Sequence, residues 1–272
     1  MPAKAGETQE TIPLLVTENH ETLPGIIPFF STRHGGVSQG NCTSLNLGQQ
    51  VQDDPQAVAI NRQRIVEALG EKIHWSSFLH QVHGTTTVTA DAHPWPRPPE
   101  ADAQITRQSG VLLAILTADC APLLFADPQE RIIGAAHAGW RGALYGVVES
   151  CLNEMVAAGA YVNQIHAFLG PCIHAASYEV DPPFYNTFAA QAEKMRTDYK
   201  KFFSKQNNIG KLRFDLPGYL RERLETYGLS KERIHDAKQC TYSRNSDFFS
   251  HRYATQRNTA PCGRQMGGIL LV

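Results

Sequence analysis

Apolar runs that end in turn residues alternate with amphipathic stretches along most of the chain. The most apolar run, 111–119 (VLLAILTAD), predicts a buried strand that continues through 123–126. The segment 131–136 (RIIGAA) predicts the returning strand of a hairpin, because 127–130 (DPQE) between the two has turn chemistry. Similar runs predict further strands at 26–32, 75–82, 85–89, 165–169, 234–242, 248–253 and 265–272.

Helices are predicted from apolar spacing and from capping residues. One begins at Asp54-Pro55, an N-cap followed by Pro at the first helical position, and ends at Gly70. A second covers 143–157, where apolar residues that include Cys151 recur at helical spacing, so that Cys151 is expected in the core. Two more are predicted over 182–196 and between a capping Asp215 and a closing Gly228.

The elements follow one another without an internal repeat or a clean break in composition. We therefore expect one α/β domain with a mixed (α+β) sheet over residues 25–272, preceded by a mobile N-terminal segment, 1–24. A polar stretch at 197–210 is expected to lie on the surface. With 42% hydrophobic residues, the 272-residue chain can bury a sizeable core.

The charge balance gives no sign of a nucleic-acid or membrane partner. A net charge of -1 and a pI near 6.8 lack the electrostatic footprint of a nucleic-acid-binding protein. No apolar run reaches the roughly 18 residues of a membrane span, and the start of the chain has no hydrophobic signal core. We expect a cytoplasmic protein that acts on small molecules and keeps its six cysteines as free thiols; the oligomeric state is open.

The predicted hairpin brings together a thiol and an imidazole. If it folds symmetrically about Pro128–Gln129, Cys120 lies directly opposite His137. Opposed residues have Cβ atoms roughly 4.5–5.5 Å apart, which suits two ligands of one metal ion or a thiol and its activating base. Pro122 cannot donate to the ladder and could introduce a bulge that shifts the register. Without His137 opposite, inert packing would be the better account of Cys120.

His83, beside Gly84 at the end of a predicted strand, is the candidate third member of this site. On a strand His80 and His83 point to opposite faces, so at most one of them faces a shared site. Two imidazoles and a thiolate are ligands that zinc prefers, and three protein ligands leave a fourth position for water or substrate. The same residues suit a cysteine nucleophile with a histidine base, and spacing does not separate the two chemistries. A hydrogen-bonded structural histidine is the simpler alternative for His83.

Two loops have the composition of anion sites. Arg141 lies in 139–142 (GWRG), where free N–H groups of a helix start and a guanidinium could hold phosphate; an exposed arginine at an ordinary turn is the alternative. Arg33 lies in 33–36 (RHGG), a weaker signal that fits many turns. Asn46 is either a turn former or a substrate contact. The sequence does not show which arginine would hold phosphate.

Several unusual strings, in this order, resemble those of the YfiH-type, multicopper polyphenol oxidase (laccase-domain) family. The resemblance covers roughly residues 25–272. The strings are STRHGG (31–36), SLNLG (44–48), QVHG (81–84), TADCAPLLFAD (117–127), AAHAGWRG (135–142), GPCI (170–173), YEV (178–180) and GRQMGGI (263–269).

The resemblance implies a single YfiH-like α/β domain, similar to bacterial deamidase-toxin cysteine hydrolases, with one zinc ion. The implied ligands are the histidine of QVHG, the cysteine of TADC and the histidine of AHAGWRG, which here are His83, Cys120 and His137. The implied activity is that of a purine nucleoside phosphorylase, acting on adenosine, inosine and methylthioadenosine, which also deaminates adenosine. Nucleoside and phosphate would then be its partners.

Other functions stay open from the sequence. Some bacterial members of the family remove a wrongly added serine from a muropeptide precursor, which would make the chain an amide hydrolase using Cys120 and His137. A copper-dependent polyphenol oxidase is the weaker alternative, because only His80 and His83 approach the paired histidine motifs that multicopper oxidases need. A binding protein without catalysis would not need three candidate ligands and two anion loops.

Overall fold

The structure is a computed structural model that describes residues 13–16, 23–70, 72–195, 198–205 and 210–272. Most of the predicted mobile segment, 1–24, lies outside these residues, and so does part of the polar stretch 197–210. No helix in the described ranges is both long enough and apolar enough to cross a bilayer.

The described residues form fourteen strands and six α-helices of six to fifteen residues. The strands are β1 (Leu14–Val16), β2 (Ile26–Ser31), β3 (Trp75–Ser77), β4 (Thr87–Thr89), β5 (Ala103–Thr106), β6 (Val111–Thr117), β7 (Ala121–Asp127), β8 (Ile132–Ala138), β9 (His166–Leu169), β10 (Glu179–Val180), β11 (Phe203–Lys205), β12 (Leu212–Phe214), β13 (Ile234–Asp236) and β14 (Gln265–Leu271). The helices are α1 (Pro55–Leu69), α2 (Trp140–Tyr145), α3 (Val147–Ala157), α4 (Pro182–Met195), α5 (Leu216–Tyr227) and α6 (His251–Gln256).

The strands form two large sheets and a small one. One large sheet has the order β1-β2-β14-β6-β3, the other β13-β9-β7-β8-β5-β4, and the small sheet β10-β12-β11. Most neighbours are antiparallel, but β3 pairs parallel with β6, β4 with β5 and β13 with β9. This mixed strand orientation in a single α/β domain confirms the predicted fold class.

The core consists of layers, because both faces of each large sheet are covered. On β6, Leu113 and Ile115 pack with Leu124 and Ala126 of β7 between the two sheets. The alternate residues of β6 pack with Ile65 of α1 on the outer face of the first sheet. The alternate residues of β7 pack under α3 and α5 on the outer face of the second. Each fully buried aliphatic or aromatic side chain of this kind stabilises the fold by about 1.5–3 kcal/mol.

The predicted single strand through 111–126 is wrong, because the chain changes sheets in its middle. β6 ends at Thr117 in one sheet and β7 begins at Ala121 in the other. The reversal passes through Asp119, whose φ of 88° lies in the left-handed region that side chains other than glycine rarely adopt. Three residues at this crossing, 118–120, are therefore held between the sheets rather than within a ladder.

The predicted hairpin register is also wrong, by two residues. Pro122, not Cys120, pairs with His137, and Ala121 pairs with Ala138. The reason is that the turn includes Arg131, at a φ of 53°, so that β8 begins one residue later than expected. Cys120 precedes β7 and lies in the crossing between the sheets, so this pairing does not set its position relative to His137.

Two predicted elements differ from the observed ones for local reasons. The predicted helix 143–157 is two helices, α2 and α3, which meet at Gly146 with a φ of 101° that ends the first and starts the second. The predicted strand at 248–253 is instead a loop and the start of α6, because the Ser250 side chain accepts a hydrogen bond from the Tyr253 N–H and caps a helix. Helices α1, α4 and α5 and strands β2 and β14 lie where they were predicted.

Candidate metal centre

The structure brings His83, Cys120 and His137 together. One ligand atom from each residue lies within 4.8 Å of the other two. The Cys120 Sγ is 3.8 Å from His83 Nε2, and the two imidazole rings meet edge to face with centroids 4.8 Å apart. His137 is buried, Cys120 is partly buried and His83 is exposed, so the cluster lies at the surface end of the core.

Three different local structures position these side chains. His137 lies on β8, Cys120 lies in the crossing between sheets, and His83 lies in the loop after β3 with a φ of 60°. Gly139 allows their close approach, because a Cβ at this position would lie 2.9 Å from His83 Cδ2 and 3.0 Å from Cys120 Sγ. Any side chain at 139 would therefore separate the thiol from the exposed imidazole.

A buried carboxylate, Asp102, holds both histidines, and sequence reasoning missed it. Its Oδ1 lies 2.8 Å from His137 Nδ1, which leaves Nε2 as the free ring atom of His137. The same carboxylate accepts hydrogen bonds from the N–H groups of Val82, His83 and Gly84, which fixes the exposed loop. The available signal was a single acidic residue between two alanines at the start of an apolar segment, 101–105.

Charges in the cluster favour an ionised thiol. Burial opposes ionisation of Cys120, but the charge and hydrogen bond of His137, with a smaller contribution from His83, lower the Cys120 pKa to about 6. Burial also opposes the charged form of His137, but the Cys120 thiolate and Asp102 raise the His137 pKa to about 9. Both shifts favour the thiolate of Cys120, which is the form that binds metals or acts as a nucleophile.

The donor set fits a zinc ion. Bonds of about 2.0–2.3 Å at tetrahedral angles place two ligand atoms roughly 3.3–3.6 Å apart. The observed 3.8 Å between Cys120 Sγ and His83 Nε2 is close to this spacing. Asp102 behind His137 is the carboxylate partner that metal-bound histidines usually have. Two imidazoles and one thiolate also occur in copper sites, so the residues form a candidate metal site that fits either metal.

Two cavities meet at this cluster. The larger, of about 770 Å³, is lined by His83, Cys120 and His137 together with aromatic residues that include Trp75 and Trp95. The smaller, of about 400 Å³, shares His83 and Cys120 with the first. A metal ion held by the cluster would therefore border both cavities.

Arg141, which the sequence analysis proposed as an anion-binding residue, lines the smaller cavity. It is exposed, and its guanidinium lies 5.1 Å from the centre of the Trp140 ring. Arg252, which the sequence analysis did not single out, lines the same cavity and donates to the Glu179 carbonyl. The cavity also contains Asp119, whose carboxylate is already engaged by the Thr241 hydroxyl and the Arg252 N–H.

The structure does not bring Arg33 or Asn46 to the cluster. The Arg33 guanidinium donates to the carbonyls of Thr43 and Asn245, and Arg33 is not among the lining residues of either cavity. Asn46 is fully buried and donates to the Gly48 carbonyl and the Asp53 carboxylate. These contacts favour the turn-forming alternative for Asn46.

Known proteins share this chain's sequence and fold over most of its length. A family model described as multi-copper polyphenol oxidoreductase laccase matches residues 28–272. The purine nucleoside phosphorylase of Deinococcus radiodurans is 40% identical over 240 residues, which cover 88% of this chain and 87% of that protein. The purine nucleoside phosphorylase of Pseudomonas aeruginosa is 37% identical over 226 residues, which cover 83% and 87%.

A solved structure has the same fold. The hypothetical protein YfiH of Bacillus licheniformis aligns with a TM-score of 0.85 and 27% identity, over 97% of this chain and 98% of that one. This agreement extends over both large sheets, and it confirms the resemblance that the sequence motifs indicated. The chain therefore belongs to the multi-copper polyphenol oxidoreductase laccase family.

Proposed function

We propose that this chain is a zinc-dependent purine nucleoside phosphorylase that acts on adenosine, inosine and methylthioadenosine and also deaminates adenosine. The observation that carries the proposal is the placement of the His83, Cys120 and His137 donor atoms where two cavities meet. Relatives 37–40% identical to the chain are named purine nucleoside phosphorylases, which supports an enzyme of that kind. The zinc and the deamination are the further parts of the proposal.

Each residue of the cluster has a distinct role in this proposal. His83 Nε2, Cys120 Sγ and the free Nε2 of His137 would hold the metal ion. When bound, zinc supplies a Lewis acid and a source of hydroxide from water at neutral pH. Asp102 keeps His137 in the tautomer whose Nε2 is free, and it holds the His83 loop in place.

Phosphate would bind in the smaller cavity, beside Arg141. The Arg141 guanidinium is exposed there, and a ligand would cover it without first breaking an ion pair within the described residues. A charge-assisted contact of this kind contributes roughly 1.5–3 kcal/mol. Arg141→Ala should therefore raise KM for phosphate about tenfold, whereas Arg257→Ala, an exposed arginine outside both cavities, should not change it.

The decisive assay uses inosine with zinc-loaded protein over a range of phosphate concentrations. Phosphorolysis requires that hypoxanthine and ribose-1-phosphate appear in equal amounts and only when phosphate is present. Free ribose instead would indicate a hydrolase. Absence of both base and sugar phosphate at every phosphate concentration would reject the phosphorylase, and conversion of adenosine to inosine tests the deaminase separately.

A second candidate, an amide hydrolase that edits a serine-bearing muropeptide precursor, is favoured by one specific observation. Asp102, His137 and Cys120 have the arrangement of a carboxylate, a base and a thiol, with the carboxylate on the ring nitrogen away from the cluster. In that case the precursor should be cleaved without phosphate and after removal of metal by a chelator. Loss of cleavage on metal removal would exclude a metal-free thiol mechanism.

A further inference from the structure

The larger cavity has an excess of positive charge. Arg62, Arg97 and Arg264 line it, and no Asp or Glu is among the described residues that do so. Three histidines besides His137 also line it. A cleft lined by charge of one sign concentrates ligands of the opposite sign, so this cavity favours an anionic group.

Two of these arginines are held rigidly by the protein backbone. Arg62 donates from Nε and Nη2 to the Leu47 carbonyl, at 2.9 and 2.7 Å, and lies 3.8 Å from the centre of the Phe78 ring. Arg264 donates from Nη1 to the carbonyls of Cys262 and Gly263. A guanidinium has five N–H donors, which is more than these contacts use, so fixed donors are left for a ligand.

The wall of the same cavity carries further hydrogen-bonding capacity that the described protein groups do not use. Thr117 is 1% exposed and lines the cavity, and its hydroxyl has no partner among the described residues. The same is true of the indole N–H of Trp75. Buried polar groups in native proteins are almost always hydrogen-bonded. Two such groups without a partner in the lining of one cavity, a hydroxyl and an indole N–H, therefore point to a ligand rich in acceptor atoms.

The volume of the larger cavity and its aromatic lining indicate the non-anionic part of the ligand. A volume of about 770 Å³ is within the range of sites for small organic ligands. The rings of Trp75, Trp95 and Phe78 add apolar surface to the same lining. A free nucleoside would use the aromatic surface but would leave the remaining guanidinium N–H donors without an acceptor.

We infer that the larger cavity binds a purine nucleoside that carries a 5′-phosphate, and that Arg97 contacts this phosphate together with Arg62 and Arg264. The inference rests on the nucleoside-processing function proposed above and deepens it by adding a phosphorylated nucleoside, bound more tightly than inosine, to the proposed free nucleosides. This anion subsite is distinct from the one at Arg141, which lines the smaller cavity. The substrate and the attacking inorganic phosphate would then occupy different cavities, both of which border His83 and Cys120.

The test compares the binding of inosine 5′-monophosphate with that of inosine, by calorimetry on the full chain in a phosphate-free buffer. The variant is Arg97→Gln, because Arg97 is exposed and makes no hydrogen bond or ion pair within the described ranges. The matched control is Arg257→Gln, an exposed arginine that lines neither cavity. We expect the monophosphate to bind wild-type protein at least about tenfold more tightly than inosine, with an affinity that falls as salt is added.

In Arg97→Gln the ratio of the two affinities should fall about fivefold to tenfold, and in Arg257→Gln it should not change. Equal affinities of the wild type for inosine and its monophosphate would overturn the inference. So would a preference that survives Arg97→Gln but disappears in Arg141→Gln, because the phosphate would then lie in the smaller cavity. Since binding is measured without turnover, a phosphate preference can hold even if the inosine assay shows no phosphorolysis, which separates the two proposals.

Discussion

Two loop regions of this protein look alike in sequence and differ in what their polar groups do. Both place Arg, His or Asn beside glycine, one around 33–48 and the other around 83–84 and 137–142. In the second region the His83, Cys120 and His137 ligand atoms face one another. In the first region the polar groups are engaged by the protein itself. A polar, glycine-containing loop is a candidate site only where such groups are left for a ligand.

The first region is organised around Asn61, which projects from α1. Its Oδ1 accepts from the Val37 N–H, and its Nδ2 donates to the Ser38 hydroxyl and to the Asn46 carbonyl. Asn46 in turn accepts from the Arg264 N–H and ties the loop to the segment before β14. These contacts explain why an irregular segment can be buried, since its backbone groups find partners within the fold.

The largest difference between the two regions is expected in zinc affinity, and Cys120→Ala tests it. Removing one of three metal ligands should weaken zinc binding by about a thousandfold, more than the 10- to 100-fold loss typical of a residue that only supports a ligand. The matched control is Cys151→Ala, which changes a buried cysteine of α3 and should retain zinc. Zinc content after gel filtration measures both. Full occupancy in Cys120→Ala would mean that the cluster is not the metal site.

In the loop region around 33–48, the main effect of a substitution should be on the free energy of unfolding. Asn46→Ala removes the hydrogen bonds to Gly48, Asp53 and Arg264 and leaves buried polar groups unpaired. We expect the free energy of unfolding to fall by about 2–4 kcal/mol, with zinc affinity unchanged in the folded protein. Urea titration gives the first quantity. The control Gln39→Ala, on the exposed surface of the same region, should change stability by about 0.5 kcal/mol or less.

Asp102→Asn tests how strongly the carboxylate supports the metal site. The change removes the carboxylate charge that faces His137 Nδ1 but keeps the shape of the side chain at 102. Zinc affinity should therefore fall by about 10- to 100-fold. Asp127→Asn is the control: Asp127 is also fully buried and also accepts three backbone N–H groups, but at the turn end of the hairpin. Equal losses in both variants would indicate a general effect of buried carboxylates and not a role for Asp102 at the metal.

The smallest expected effect concerns a second histidine pair, away from the cluster. The His166 and His235 nitrogens are 3.2 Å apart, and Arg233 donates to His166 Nε2. Burial, followed by the charge of Arg233, lowers the His166 pKa to about 4, below its value of about 6.5 in the unfolded chain. Between these values the unfolded chain binds a proton that the folded protein does not, so stability is lost as pH falls from about 6.5 to 4.

Since His166 is only half buried, the loss attributable to it should be about 1 kcal/mol. Urea titrations of the wild type and of His166→Gln at pH 6.5 and 4.5 measure it, and the exposed His93→Gln serves as the control. The wild type should lose more stability than His166→Gln on acidification. An identical pH dependence in all three proteins would show that His166 titrates normally in the folded state.

Helices α1, α4 and α5 were predictable from sequence because local signals define them. Asp54 and Asp215 cap α1 and α5 as expected, since an N-cap depends on a few adjacent residues. The register of β7 with β8 was not predictable in this way, because a left-handed Arg131 lengthens the turn. His83, Cys120 and His137 still meet, although only His137 lies in that ladder: Cys120 lies in the crossing between the sheets and His83 in a loop.

The parts that sequence did not reveal depend on contacts distant in the chain. Asp102 contacts His137, 35 residues away. The neighbours of Asp102 in the sequence indicate a buried acidic residue but do not identify its partner. The sheet change at Asp119 likewise depends on a bond from Thr241, 122 residues away. Arg33 was proposed for phosphate from its neighbours alone, whereas its guanidinium is directed to carbonyls of the Thr43 and Asn245 loops.

The most direct test of the central claim is anomalous diffraction at the zinc edge from crystals of zinc-loaded protein. The account predicts one strong anomalous peak per chain, bonded at about 2.0–2.3 Å to His83 Nε2, Cys120 Sγ and His137 Nε2. A data set at the copper edge from the same crystals identifies the metal. A peak bound by other residues, or no peak at the cluster in protein that turns over inosine, would contradict the account.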